Sequence, residues 1–228
     1  MDATFLSVLI LGFLLGIKHA IEPDHVIAVS TIASQSKKLY RSSLAGVFWG
    51  IGHTTTLFIV GIILLLMKGQ IPEKWAMSLE FLVGIMLVYL GIKTITSFRK
   101  TQVDYKEYGN GIGNNLGNQQ SIKLSYIKSM IIGFVHGLAG SGAMVLLTLS
   151  TVNSVWESAI YILIFGFGTV LGMLFFTTIL GIPFILSFKK VTLNKTLTQI
   201  TGVISTVFGV YYMYNLGVTE GLFKLWLL

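Results

Sequence analysis

The sequence predicts an all-α membrane protein of six transmembrane helices, set out as two inverted three-helix repeats within one integral domain, residues 1–228. Three observations carry that reading. Hydrophobic residues make up 54% of the chain and charged residues only 11%, against roughly 25% charged in soluble domains. Four runs, 42–67, 129–156, 158–188 and 196–219, contain no Asp, Glu, Lys or Arg, and each exceeds the ~20 residues a helix needs to cross hydrocarbon. Short glycine and histidine signatures also recur in the same order in both halves of the chain.

The first span is expected within 3–34, where an apolar run is interrupted by Lys18, Glu22 and Asp24. Its start, Met1-Asp2-Ala3-Thr4, lacks a basic n-region and no small-residue cleavage site follows, so the segment should stay as a span. Pro23 cannot donate a backbone hydrogen bond and restricts Glu22 before it, which predicts a kink or break. Spans 2 and 3 follow at 42–67 and 75–96, with Glu80 near one end of the latter. The polar, glycine- and amide-rich stretch 97–126 reads as a flexible cytoplasmic linker joining repeat halves 3–96 and 127–217.

Span 4 is expected at 129–156. Span 5, at 158–188, would measure about 47 Å if wholly helical, and Pro183 is expected to bend it. Span 6 is expected at 196–219. Trp49, Trp75, Trp156, Trp226 and the stretch Tyr211-Tyr212-Met213-Tyr214 read as bilayer-interface or packing residues. Met67, Met86, Met144 and Met173 read as apolar packing.

The repeat rests on three correspondences. Gly16-Ile17-Lys18-His19 matches Gly133-Phe134-Val135-His136 at an offset of 117, and Gly50-Ile51-Gly52-His53 matches Gly166-Phe167-Gly168-Thr169 at 116. Gly84 and Gly91 match Gly202 and Gly209 at 118. An odd number of spans per half inverts the second half, the arrangement many secondary transporters use for alternating access. Close helix packing is the competing explanation for such glycines.

Charge sets an orientation. Of the sixteen Lys and Arg, twelve fall in 35–42, 93–128 and 188–196, while the alternate connections and the tail hold Lys68, Lys74 and Lys224. The positive-inside rule puts the basic loops in the cytoplasm and both termini outside a cell membrane. The basic clusters sit on short loops with no nucleic-acid reader, so lipid is the expected partner and nucleic acid is not.

All four histidines, His19, His25, His53 and His136, fall within expected spans. Ionisable groups in hydrocarbon are costly unless they face a bundle interior, a partner or a wet cavity, so they are candidate functional residues. His19-Ala20-Ile21-Glu22-Pro23-Asp24-His25 places two imidazoles and two carboxylates in seven residues. Imidazole suits divalent nickel, cobalt, copper or zinc, and a carboxylate offsets metal charge. A magnesium or calcium site would not need several histidines.

With no cysteine in the chain, thiolate ligands are excluded. Asp24 and His25 point about 100° apart on a regular helix, so a metal shell needs the break or another span, and His53 is the natural contribution from span 2. The candidate metal residues are His19, Asp24, His25 and His53, with His136 and Glu22 as weaker members. Glu22 has the alternatives of facing headgroups or pairing with Lys18.

The His19–His25 pattern, a histidine followed after four residues by Asp-His, resembles the first-helix signature of nickel/cobalt transporters. Gly52-His53-Thr54-Thr55 is similar to that family's Gly-His-Ser-Thr element. Phe134-Val135-His136-Gly137-Leu138-Ala139-Gly140-Ser141-Gly142-Ala143 resembles the small UreH-like branch associated with urease accessory genes. The resemblance implies nickel or cobalt as transported substrate, metal handling by the first signature, and a supply role for urease maturation. The larger permeases' second acidic motif, similar to Leu-Gly-Phe-Asp-Thr-Ala-Thr-Glu, is absent.

The expected function is therefore uptake of Ni²⁺ or Co²⁺ into the cytoplasm by a non-enzyme that requires no cofactor. Candidate partners are a second copy of the chain or urease-maturation proteins. Protons compete with metal for imidazole, whose unperturbed pKa is about 6.5, so uptake by a solvent-accessible site should weaken in acid. One rival is a six-span exporter that uses the histidines as a proton relay, and another is a non-transporting membrane accessory protein that holds metal. A membrane metalloprotease lacks its His-Glu-x-x-His spacing here.

Overall fold

The computed structural model describes residues 3–36, 38–67, 71–107, 125–140 and 154–227. All regular structure among them is helical: α1 (Ala3–His19), α2 (Pro23–Ser34), α3 (Leu39–Met67), α4 (Glu73–Glu107), α5 (125–140), α6 (Val155–Ser187) and α7 (Val191–Tyr214). A π-helical turn (Asn215–Thr219) and the short α8 (Leu222–Leu227) close the chain.

Helices α3, α6 and the part Glu73–Thr96 of α4 are each long and apolar enough to cross a membrane. Helices α1 and α2, bent by 56° where they meet, qualify together as one broken span. Length and composition thus support three spans among the described residues, or four with the bent pair. The expected span 129–156 is helical as α5 to residue 140, and 141–153 lie outside the described residues. Helix α7 has a polar first half, with Thr192, Asn194, Lys195, Thr196, Thr198 and Gln199, which separates it from the strongly apolar spans. Helix α4 carries on to Glu107, into the stretch expected as linker, of which 108–124 lie outside the described residues.

The break after His19 has a local cause. Helix α1 ends in tightened i→i+3 bonds, Ile21 N–H to Lys18 O and Glu22 N–H to His19 O, both 3.1 Å. Glu22 is extended (φ −61°, ψ 145°), the conformation favoured before proline, and Pro23 opens α2 where a missing N–H leaves no gap. Asp24 then falls in the first turn of α2, where the helix dipole favours a negative charge. Pro183 lies inside α6, which remains a single helix to Ser187.

Helices α1 and α3 pack on α6, α4 packs on α7, and α2 touches both groups. Glycine makes the close approaches possible. A Cβ on Gly16 would overlap the Phe165 carbonyl, one on Gly133 the Trp49 carbonyl, one on Gly52 that of Met130 and one on Gly168 that of Phe13. Gly84 and Gly209 face each other across the α4–α7 crossing, as do Gly91 and Gly202. Hydroxyls add interhelical bonds, including Thr169 Oγ1 to Gly16 O (3.2 Å), Thr56 Oγ1 to Phe134 O (3.0 Å) and Ser205 Oγ to Leu87 O (2.8 Å).

The polarity is inverted relative to a soluble bundle. Ile10, Leu14, Ile59, Ile63, Phe167 and Val207 are exposed, whereas His25, His53, His136, Thr56, Thr169 and Ser205 are buried. A lipid-facing exterior requires that distribution. A Cβ at Gly209 would come 2.8 Å from the Gly84 carbonyl, so Gly209→Leu should force α4 and α7 apart. Its expected cost is about 1–3 kcal/mol of overpacking, read as a lower unfolding midpoint of the detergent-solubilised protein.

Candidate metal site

The α1–α2 break, α3 and α5 converge on one place. His19 ends α1, Asp24 and His25 open α2, His53 lies mid-way along α3 and His136 on α5. His25, His53 and His136 are buried, while His19 and Asp24 are partly so. Ring centroids lie 4.4 Å apart for His19 and His25, 4.3 Å for His25 and His136, and 5.2 Å for His19 and His53. All six sequence-predicted residues meet here, with Glu22 at the exposed rim. Glu22 pairs with His19 Nδ1 at 2.9 Å.

The carboxylates fix the tautomers, since an ionised carboxylate only accepts. His25 Nδ1–H donates to Asp24 Oδ1 (3.0 Å) and His136 Nε2–H donates to Asp24 Oδ2 (2.7 Å). His19 Nδ1–H donates to Glu22 Oε2 (2.9 Å), so His53 Nε2–H donates to His19 Nε2 (3.1 Å). His25 Nε2, His53 Nδ1 and His136 Nδ1 are left buried with no hydrogen-bond partner among the described residues. Each is the lone-pair nitrogen of a neutral ring. Such orphaned acceptors are uncommon in folded proteins, and imidazole lone pairs are good ligands for first-row dications.

The ligand atoms form two sets that share His25: His19, His25 and His53, and Asp24, His25 and His136. Within each set all ligand atoms lie within 4.8 Å of one another. The cluster lines a cavity of about 310 Å³. At about 30 Å³ per water in the liquid, it has room for a cation still carrying several waters. Lys18, Glu22, Asp24 and Glu80 all line it, one basic and three acidic side chains, a lining whose acidic majority favours a cation.

Two contributions were not anticipated. Trp49, read as an interface or packing residue, is fully buried and stacks on His53 at 5.0 Å and 8°, with its ring edge-on to His25 and His136. It lies one helical turn before His53, so the signal was a tryptophan at i−4 from an intramembrane histidine. Glu80 and Tyr212, from α4 and α7, form the far wall, with Tyr212 Oη–H donating to Glu80 Oε2 at 3.4 Å. Glu80 was legible as a carboxylate inside an apolar span. If the wall charge attracts the cation, Glu80→Gln should raise the metal concentration for half-maximal uptake several-fold and largely preserve the maximal rate, as initial-rate measurements in cells would show.

The model of the high-affinity nickel-transport protein family, NicO, matches residues 5–115, which include the His19–His25 signature and His53. Urease accessory protein UreH of Bacillus sp. (strain TB-90) is 62% identical over 222 residues, covering 97% of each chain. The chain belongs to the UreH-like nickel/cobalt transporter family. Family membership makes it a transport-family membrane protein concerned with nickel rather than an enzyme. Two chloroplast proteins of Arabidopsis thaliana, FOR GROWTH AND FERTILITY 2 and FOR GROWTH AND FERTILITY 1, are each 26% identical over 75% of the chain. The chain spans only 46% and 48% of their lengths. No solved structure matches it.

Proposed function

We propose that this chain is a permease that carries Ni²⁺, or Co²⁺, across the cell membrane into the cytoplasm, with supply to urease maturation as its role. The observation that carries the reading is the convergence of four histidines and Asp24 from α1, α2, α3 and α5 on one cavity, among helices of which α3, and α1 with α2 as a bent pair, are long and apolar enough to cross a membrane. Imidazole-rich ligation with one carboxylate suits nickel and cobalt better than magnesium or calcium. The family match and the relative's name, which ties that protein to urease, favour nickel.

The reading includes six spans in two inverted halves, and reciprocal contacts support it. Gly16 meets Phe165 while its repeat mate Gly133 meets Trp49, the residue at Phe165's own repeat position. Gly52 meets Met130 and its mate Gly168 meets Phe13, while Gly84–Gly209 maps onto Gly202–Gly91. In this arrangement the basic loops are cytoplasmic, both termini are outside, and the repeats rock around the cavity.

Purified protein in liposomes enclosing a metal-sensitive dye provides the test. External Ni²⁺ should raise the signal in proportion to protein, with no signal from His25→Ala liposomes. Metal binding without flux would sink the permease reading and favour the accessory one. Proton-linked flux of another solute, independent of metal, would favour the relay.

A further inference from the structure

Resting on the proposed metal-carrying function, we infer that the cluster is a pair of overlapping ion sites which share His25, and that a single ion is passed between them. The first trio is His19, His25 and His53, and the second is Asp24, His25 and His136. Two ligands bonded to one first-row metal at about 2.1 Å lie about 3 Å apart when their bonds are perpendicular. His19 Nε2 and His53 Nε2 are already 3.1 Å apart, and Asp24 Oδ1 and His25 Nδ1 3.0 Å. Each trio thus holds two atoms at a coordination spacing, joined in the metal-free protein by a hydrogen bond whose proton, on His53 Nε2 or His25 Nδ1, must move to the ring's other nitrogen before that atom can ligate.

The shared residue dictates the order of occupancy. A neutral imidazole has one lone pair, because its other nitrogen carries the proton. His25 can therefore complete one trio at a time, and dications side by side in so small a space would repel strongly. The trios also differ in charge. The first presents three neutral rings, with Glu22 held against the outer nitrogen of His19, whereas the second places the Asp24 carboxylate beside the ion. They should differ in affinity and spectrum, and handing the ion across requires His25 to change partners, with its proton moving between the ring nitrogens when Nδ1 rather than Nε2 ligates. Its Nε2, buried and unpartnered while Nδ1–H is held by Asp24, is the lone pair available to the first trio in the metal-free protein.

The full chain in detergent, with Ni²⁺ in equilibrium dialysis and Co²⁺ in absorption spectroscopy, tests this. Wild type should bind one ion per chain. His53→Ala and His136→Ala, each leaving one trio intact, should still bind one ion at saturation, yet give different Co²⁺ spectra and less than about a tenth of wild-type flux in liposomes. His25→Ala should bind none. His53→Gln and His136→Gln, which preserve volume and a polar amide, replace either alanine variant that is not monodisperse.

Two ions per wild-type chain, loss of all binding in either single-trio variant, identical Co²⁺ spectra, or wild-type flux in either variant would each overturn the transfer of one ion between overlapping sites. Absence of metal flux from wild type would instead overturn the permease reading beneath it.

Discussion

Asp24→Asn should reduce nickel accumulation by about 100-fold or more at matched membrane abundance. Loss of a carboxylate that merely orients a metal-bound histidine typically costs 10–100-fold, and Asp24 does more than that. Its two oxygens accept from His25 and His136 at once, and it is the only carboxylate in either ligand set. The amide retains the shape but removes the charge, and its NH₂ face cannot accept from an imidazole N–H. One of the two rings must then change tautomer or lose its partner, which redirects the lone pair needed for metal. Asp24→Glu restores the charge with a longer reach and should recover part of the uptake. Radiolabelled nickel accumulation, normalised to immunoblotted protein, is the measurement. Wild-type uptake by Asp24→Asn would remove Asp24 from the transport route.

Much of this site was legible because hydrocarbon makes polarity conspicuous. His19, Asp24, His25, His53 and His136 stood out as polar residues in apolar runs, and Pro23 marked the break that turns Asp24 and His25 into the cavity. The sequence could not indicate that Asp24 bridges two histidines, because one of them, His136, is 112 positions away and on a helix whose packing angle depends on glycine contacts. Trp49 was legible as an interface or packing residue, but not as the ring stacked on His53. Tryptophan's preference for interfaces is an average, and at this position burial is decided by a face shared with His53. Span number was the least legible quantity, since α7 mixes Thr, Ser and Gln into its apolar face.

Those hydroxyls serve packing, as Ser205 Oγ donating to Leu87 O shows. Hydropathy alone scores them as polar, although a bonded hydroxyl is tolerated between helices. The long α4 illustrates the converse. Gly-rich and amide-rich composition predicted a linker from residue 97, but helix propagates through Arg99, Lys100, Gln102, Lys106 and Glu107, residues of good helical propensity.

Gly16→Val and Gly133→Val should cost nearly the same stability, at or above the upper end of the ~1–3 kcal/mol typical of overpacked cores. In each case the new Cβ falls on a main-chain carbonyl, Phe165 for Gly16 and Trp49 for Gly133. A side chain in the way could rotate, but a carbonyl belongs to its helix, so α1 must move off α6 or α5 off α3. Gly140→Ala is the control, because among the described residues a Cβ there meets only ordinary contacts, 3.9 Å from Leu57 Cδ2 and 4.0 Å from His53 Cε1. It should fold like wild type. Thermal unfolding in detergent and the folded yield from membranes read the effect. Equal losses at Gly16 and Gly133 are what an inverted duplication requires, because the two glycines then occupy the same position in the same motif. A neutral Gly133→Val beside a damaging Gly16→Val would sink that equivalence, leaving the matching signatures as glycines selected separately for close packing.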